Sequence, residues 1–249
     1  MPVPQIAVEE AMARVIRGAG GEIISTLLPA RANLAKNADY VFREYGVIAE
    51  LKRLEKDQDE DESFREKRNQ LYKTWVGQGK VPPIFGTIRI ELRSLPLDCA
   101  QEFISLYREP IRRRISEANK QIRSTKRLLH MEDALGLLIF VHDGDYSISP
   151  EAVLNLASRC MKGGFYSSIN DIIYTSGNML ATKPGDSLGY QFFLHCPRDM
   201  QHPIPADLIH NLNIGWQQEL SEKFGKPTSF VVNPPNMTEY IDKFHYKKP

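Results

Sequence analysis

The chain has 249 residues, 42% of them hydrophobic and 25% charged, a balance that fits a soluble globular protein and excludes collagen-like, disordered and disulfide-stapled classes. Lys and Arg total 32 against 31 Asp and Glu, for a formal net charge of +1, so attraction to nucleic acid has to come from local clustering rather than bulk basicity. Cys99, Cys160 and Cys196 are widely spaced and form no CxxC pair, which points to free thiols in a reducing compartment.

Residues 5–18 read as a helix, with Ile6, Ala7, Ala11 and Val15 at helical spacing and glycines from Gly18 to Gly21 ending it. The same stretch turns acidic where a secretory signal would be apolar, and nowhere does an apolar run reach the roughly 18 residues a membrane span needs. The expectation is a cytoplasmic chain with no membrane association. Residues 22–34 are ambiguous, with apolar residues broken near Pro29. Residues 38–42 and 47–52 are β-type runs joined by Arg43-Glu44-Tyr45-Gly46, a hairpin signal. From Asp57 to Glu62 every residue but Gln58 is acidic. An EF-hand fails there, because its glycine position is Glu62 and its bidentate-glutamate position is Arg68, so the run reads as a solvated loop.

A helix is expected over 62–77, stopped by Val81-Pro82-Pro83, and a third strand over 87–92. Residues 97–129 read as helix in two parts divided at Pro110. Residues 136–141, Gly-Leu-Leu-Ile-Phe-Val, suit a fully buried strand, and the following His142-Asp143-Gly144-Asp145 reads as a turn. Ser149-Pro150 opens another helix by the N-cap and proline-at-N1 rule. Strands at 169–175 and 189–196 and a helix over 206–224 complete the order; the tail after Pro234 has no clear assignment. The expected fold is mixed α/β, a central sheet flanked by helices. Residues 1–145 form the core and 146–249 an α/β extension of the same domain.

The informative segment is 37–54, NADYVFREYGVIAELKRL. Alternate strand residues share a face, so Glu50 and Lys52 point the same way. A turn centred between Glu44 and Tyr45 sets Phe42 opposite Val47, Val41 opposite Ile48 and Asp39 opposite Glu50. Opposed residues have Cβ atoms about 4.5–5.5 Å apart, and like charges there need a cation between them. Mg²⁺ accepts one or two carboxylates and leaves room for a phosphate oxygen, and an adjacent lysine can serve the attacking water. The competing reading is an ordinary surface ion pair on an edge hairpin.

Asp39, ten residues, then Glu50-Leu51-Lys52 resembles the PD-(D/E)xK nuclease superfamily, the restriction-endonuclease-like fold, over roughly residues 5–143. Ala38 departs from the proline of that motif's name. The resemblance implies a core running helix, three strands, helix, strand, with the motif on the first two strands. It implies Asp39, Glu50 and the Leu51 carbonyl as ligands of Mg²⁺, or Mn²⁺ in its place, and Lys52 as the residue serving water. It also implies an acid from the first helix, for which Glu10 is preferred over Glu9 and Glu22, and accessory roles for Gln121 and Lys120.

Residues 111–129, IRRRISEANKQIRSTKRLL, carry an apolar stripe of Ile111, Ile115, Ala118, Ile122 and Leu129 beside a basic one. Arg113, Lys120 and Arg127 repeat every seven residues, with Arg112, Arg114, Arg123 and Lys126 around them, and Glu117 is the only acid in the span. Such clustering is the footprint of phosphate contacts, with DNA ahead of RNA as partner. The histidines lack zinc-ligand spacing, and no Walker or GxGxxG loop is present. The reading is a metal-dependent endonuclease acting on DNA. Its rivals are a catalytically silent nucleic-acid-binding module on the same fold and an assembly protein that forms a homodimer.

Overall fold

The computed structural model describes residues 5–28, 36–86, 94–162, 164–179, 181–182, 190–198, 202–224, 229–232 and 245–246. Helix α1 (Val8–Gly18) comes first, followed by a two-residue strand β1 (Glu22–Ile23) and a single helical turn α2 (Ile24–Leu27). The hairpin β2 (Tyr40–Phe42) and β3 (Val47–Leu54) leads into α3 (Glu62–Gly77) and the long α4 (Leu97–Leu128). Then come β4 (Leu135–His142), α5 (Pro150–Met161), β5 (Asp171–Ser176), β6 (Ala181–Thr182), β7 (Tyr190–Pro197), α6 (Ala206–Phe224), β8 (Ser229–Val232) and β9 (His245–Tyr246).

The strands form one mixed sheet in the order β1-β2-β3-β4-β5-β7-β6-β9, with β8 also paired to β7. Pairing is antiparallel from β1 to β2 to β3, parallel from β3 to β4 to β5, and antiparallel from β5 to β7. The hairpin register is Tyr40↔Ala49, Val41↔Ile48 and Phe42↔Val47, as the turn length and alternation require. β4 is buried along nearly its whole length because it lies between two parallel neighbours with both faces covered.

Alternation splits the core in two. Val41, Ile48, Leu54, Leu138 and Phe140 pack under α4 and α5. Phe42, Val47, Ala49, Leu51, Ile139 and Val141 pack under α1 and α6. The architecture is therefore mixed α/β, a central sheet with helices on both faces. Among the described residues no helix is long and apolar enough to cross a membrane.

The boundaries of α3 follow local chemistry. Asp61 at its N-cap accepts from the Phe64 N–H at 3.1 Å. The acidic run is thus not a wholly solvated loop: one member caps a helix and another, Asp57, is buried. Ser149 caps α5 in the same way, with Pro150 in its first turn.

Two expectations change. The break foreseen at Pro110 is absent, and α4 runs continuously through it. Proline removes one backbone hydrogen bond, but each half of the helix has its own packing. Ile111, Ile115, Ala118 and Ile122 lie on the sheet, while Cys99 and Phe103 pack with Trp75 and Val81 in a separate small cluster. The ambiguous stretch after α1 supplies β1, so the hairpin strands are the second and third of the sheet. The strand expected at 87–92 lies outside the described residues.

Gly136, opening β4, marks the closest approach of the sheet to the loop before β5. A Cβ there would meet the Ser168 carbonyl oxygen at 1.8 Å and Ile122 at 3.0 Å. Backbone cannot yield as a flexible side chain does, so Gly136→Ala is expected to destabilise the fold by about 3 kcal/mol or more. Urea unfolding would measure the loss; a variant as stable as the parent would contradict this contact.

Candidate functional site

Strand alternation sends Glu50 and Lys52 to the face of Ile48 and Leu54, beneath α4. Asp39 shares that face with Val41 but sits one residue before β2, because the chain leaves the sheet there: the Ala38 N–H turns away to the Thr125 hydroxyl at 2.8 Å. The vacated ladder position is filled by a side chain. Leu51 donates its N–H to Asp39 Oδ2 at 2.9 Å. In an extended residue the N–H and C=O point to the same side, so the Leu51 carbonyl is also directed toward Asp39 and away from β4.

Lys52 Nζ donates to Glu50 Oε1 at 2.5 Å and to Gln121 Oε1 at 2.8 Å. Gln121, on the underside of α4, is itself anchored by donating from Nε2 to the Asn37 carbonyl at 2.9 Å. Glu50 is 1% exposed, and its second oxygen, Oε2, is buried without a hydrogen-bond partner. A buried carboxylate with an unmet oxygen is expensive. Burial, and next the charge of Asp39, push the Glu50 carboxyl up to about 8, against the opposing pull of Lys52. Burial also raises Asp39, partly offset by the Leu51 N–H and by Lys52. Two raised carboxyls side by side show that one lysine does not neutralise the pair.

These groups line a cleft of about 900 Å³ between α1, the hairpin and α4. The cleft brings together Asp39, Glu50, Leu51, Lys52, Gln121 and Arg113 from the sequence reading. Lys120, Arg123 and Arg127 are not among its lining residues; all three are exposed on other sides of α4. The first-helix acid is corrected. Glu10 is not part of the lining, whereas Glu9 is; Glu10 is exposed and lies near Arg14. Glu22 pairs with Arg43.

The sequence reading gave Arg53 no role and took Arg114 only as one of the cations of the basic cluster. Arg53 points to the opposite face from Lys52 and ties three elements together. It donates to Asp143 Oδ2 at 2.8 Å, to Glu9 at 3.3 Å and to Glu55 at 3.1 Å. Asp143 in turn accepts from Asn178, which clasps the backbone of Ile6 at the entry to α1. Arg114 donates to the Arg53 carbonyl at 2.9 Å and locks α4 to the end of β3. The only local signal for these links was an arginine beside the motif and an acid directly after β4.

The donor set suits a hard cation that takes oxygen ligands: two carboxylates, an unmet Glu50 oxygen, and the Leu51 carbonyl on the same side. Among the described residues no group of three or more His, Cys, Asp or Glu side chains is placed to hold a metal ion. Comparison with protein-family models, with curated proteins and with solved structures gives no match.

The raised Glu50 carboxyl has a consequence for stability. Between about pH 4.5 and 8 the folded chain keeps a proton that the unfolded chain releases. That contribution to stability is complete below the unfolded carboxylate pKa and is lost as pH rises through the folded one. Metal-free protein is therefore expected to weaken across this window, and Glu50→Gln, which carries no charge, to flatten the decline. Denaturant midpoints at several pH values in EDTA test this, and parallel curves for the two proteins would refute it.

Proposed function

We propose that this chain is a divalent-metal-dependent nuclease with a restriction-endonuclease-like core, hydrolysing phosphodiester bonds of DNA. The observation that carries the reading is the buried Glu50 carboxyl beside the half-buried Asp39, with no donor to Glu50 Oε2 and with Lys52 on the same cleft wall. The element order adds support. With the single turn α2 set between β1 and β2 and with α3 inserted before α4, the chain runs α1, β1 to β3, α4 and β4, and the motif occupies the second and third strands, not the first two.

Asp39, Glu50 and the Leu51 carbonyl are the residues that would hold the ion, with Mg²⁺ as the natural choice and Mn²⁺ as its substitute. When bound, such an ion supplies Lewis-acid stabilisation to a phosphoryl oxygen and lowers the pKa of water. The rest is done by side chains of this chain. Lys52 is held between Glu50 and Gln121, so its ammonium is fixed in direction before substrate arrives. It orients the attacking water and offsets negative charge that grows on the phosphate, without needing to reorganise. Gln121 fixes the lysine by its anchored amide. Arg113, exposed at the cleft wall, offers a phosphate contact that places the strand.

The test is nicking of supercoiled plasmid in Mg²⁺, with EDTA as control. Asp39→Asn is expected to abolish cleavage while leaving the fold intact, and Lys52→Ala to lower the rate on the order of 10²- to 10³-fold. Cleavage by Asp39→Asn at the parental rate would reject the assignment. Salt-sensitive binding without cleavage in either metal would favour a silent binding module instead.

Metal binding should also move protons. Loading the site drives the Glu50 proton off, so Mn²⁺ affinity should rise between about pH 6 and 8. Calorimetry in two buffers of different ionisation enthalpy would count the protons released. No release, or unchanged binding in Glu50→Gln, would place the metal elsewhere.

A further inference from the structure

On the side of α4 away from the cleft, a short loop presents an aromatic ring to solvent. Phe165 is 81% exposed, at the tip of residues 164–168, between α5 and β5. The loop is firmly held. The Ser168 N–H donates to Asn119 Oδ1 at 2.9 Å, the Ile169 N–H to the Tyr166 carbonyl at 3.1 Å, and Arg198 to the Tyr166 carbonyl at 2.9 Å. These bonds hold the backbone directly after Phe165, so a ring this exposed suits a surface that binds something, with less backbone ordering entropy left to lose on contact.

Its surroundings are cationic. Arg123 donates to Ser168 and Ser167 at 3.3 and 3.4 Å, and Arg198 to the backbone carbonyls of Tyr166 and Ile169. All four acceptors are neutral, so both guanidiniums keep their charge at the surface. Lys162 is exposed just before the loop. Arg112 reaches Tyr166 but is also paired with Glu109 at 2.6 Å, so it adds little net charge.

At 100° per residue around α4, Gln121 and Arg114 lie toward the cleft, and Arg112 and Arg123 lie toward the loop. Arg113, Lys120 and Arg127 form the ridge between them. A chain of cations therefore runs from the cleft over one helix diameter, about 10–12 Å, to the exposed ring. Single-strand binding surfaces combine these two ingredients, a charged track for the backbone and an aromatic face for a base.

We infer that Phe165 is a stacking platform for an unpaired base of DNA whose backbone crosses the α4 ridge to the cleft. This inference rests on the nuclease reading above and specifies its substrate as DNA with a single-stranded stretch. Base pairs in a duplex are already stacked and leave no face for the ring, so the platform discriminates against fully paired DNA.

The test is fluorescence anisotropy with a fluorescein-labelled oligo(dT) of about 20 nucleotides and a duplex of equal length, in EDTA so that nothing is cut. The parent is expected to bind oligo(dT) more tightly than duplex. Phe165→Ala should weaken oligo(dT) binding by about 5- to 150-fold and leave duplex binding unchanged, and Phe165→Trp should restore it. Arg123→Gln and Arg198→Gln should each reduce the slope of log affinity against log salt by about 0.7. Phe165 is largely exposed, so these outcomes do not depend on a refolded core.

Unaltered oligo(dT) binding in Phe165→Ala, or an equal loss on duplex, overturns the platform. So does a parental dimer that sediments as monomer in Phe165→Ala, which would make the loop a subunit contact. Cleavage in Mg²⁺ of a duplex carrying a single-stranded tail keeps the two proposals separable. Oligo(dT) binding through Phe165 with no cleavage by the parent removes the nuclease and keeps the platform. Cleavage by the parent with binding indifferent to Phe165 does the reverse.

Discussion

A carboxyl group at 1% exposure, with one oxygen bonded to a lysine and the other set beside the Asp39 carboxyl with no basic donor, organises this molecule. Burying Glu50 costs free energy that an apolar residue at the same place would not. The surroundings offset only part of that cost. Lys52 approaches from the same strand face, yet Asp39 approaches too and raises the electrostatic penalty. A strand selected only for packing would carry another apolar residue between Ile48 and Leu54. Glu50 in that place, with Asp39 beside it from the neighbouring strand's entry, makes sense when a further positive charge is part of the working site, the premise of the proposed metal-dependent chemistry.

The geometry that makes this possible is the passage of α4 across β3. Its apolar stripe packs on the sheet face shared by Ile48 and Leu54, which brings Gln121 to Lys52 and Arg114 to the Arg53 carbonyl. The helix thus fixes the polar site with one flank and carries exposed cations on the others. On the opposite face Arg53 joins α1, β3 and the end of β4 through Glu9 and Asp143. Adjacent residues of one strand therefore divide the work by pointing opposite ways: Lys52 toward the site, Arg53 toward the frame that holds the cleft's other wall.

Much of this was legible locally. The four-residue connection sets the hairpin register, and a slip of β3 by one residue would turn Glu50 and Lys52 from the cleft side into the apolar layer under α1 and α6. The Val81-Pro82-Pro83 stop lies beyond the end of α3 and Ser149-Pro150 starts α5, as read, whereas the Asp61 cap of α3 sat in a run read as a solvated loop. Local reading fails where two influences compete. Pro110 is a strong breaker by itself, but independent packing on both sides of it keeps α4 whole. Glu9 and Glu10 are neighbours on one amphipathic helix, and nothing in that helix says which flank meets the hairpin; the seating of α1 against the sheet and α6 decides for Glu9.

The sequence by itself determined the periodicities: which residues share a strand face, which helix faces are apolar, and that Asp39, Glu50 and Lys52 fall on one side of a hairpin. Those are consequences of backbone geometry repeated every two or 3.6 residues, and they need no knowledge of distant segments. Tertiary structure decided what confronts that side. The chain's departure from the sheet at Ala38, the Asp39 grip on the Leu51 N–H, the reach of Gln121 to Lys52 and the anchoring of the Phe165 loop to Asn119 all join residues remote in sequence. Their positions depend on how helices settle on a twisted sheet, and that follows from the packing of the whole core, not from any local pattern.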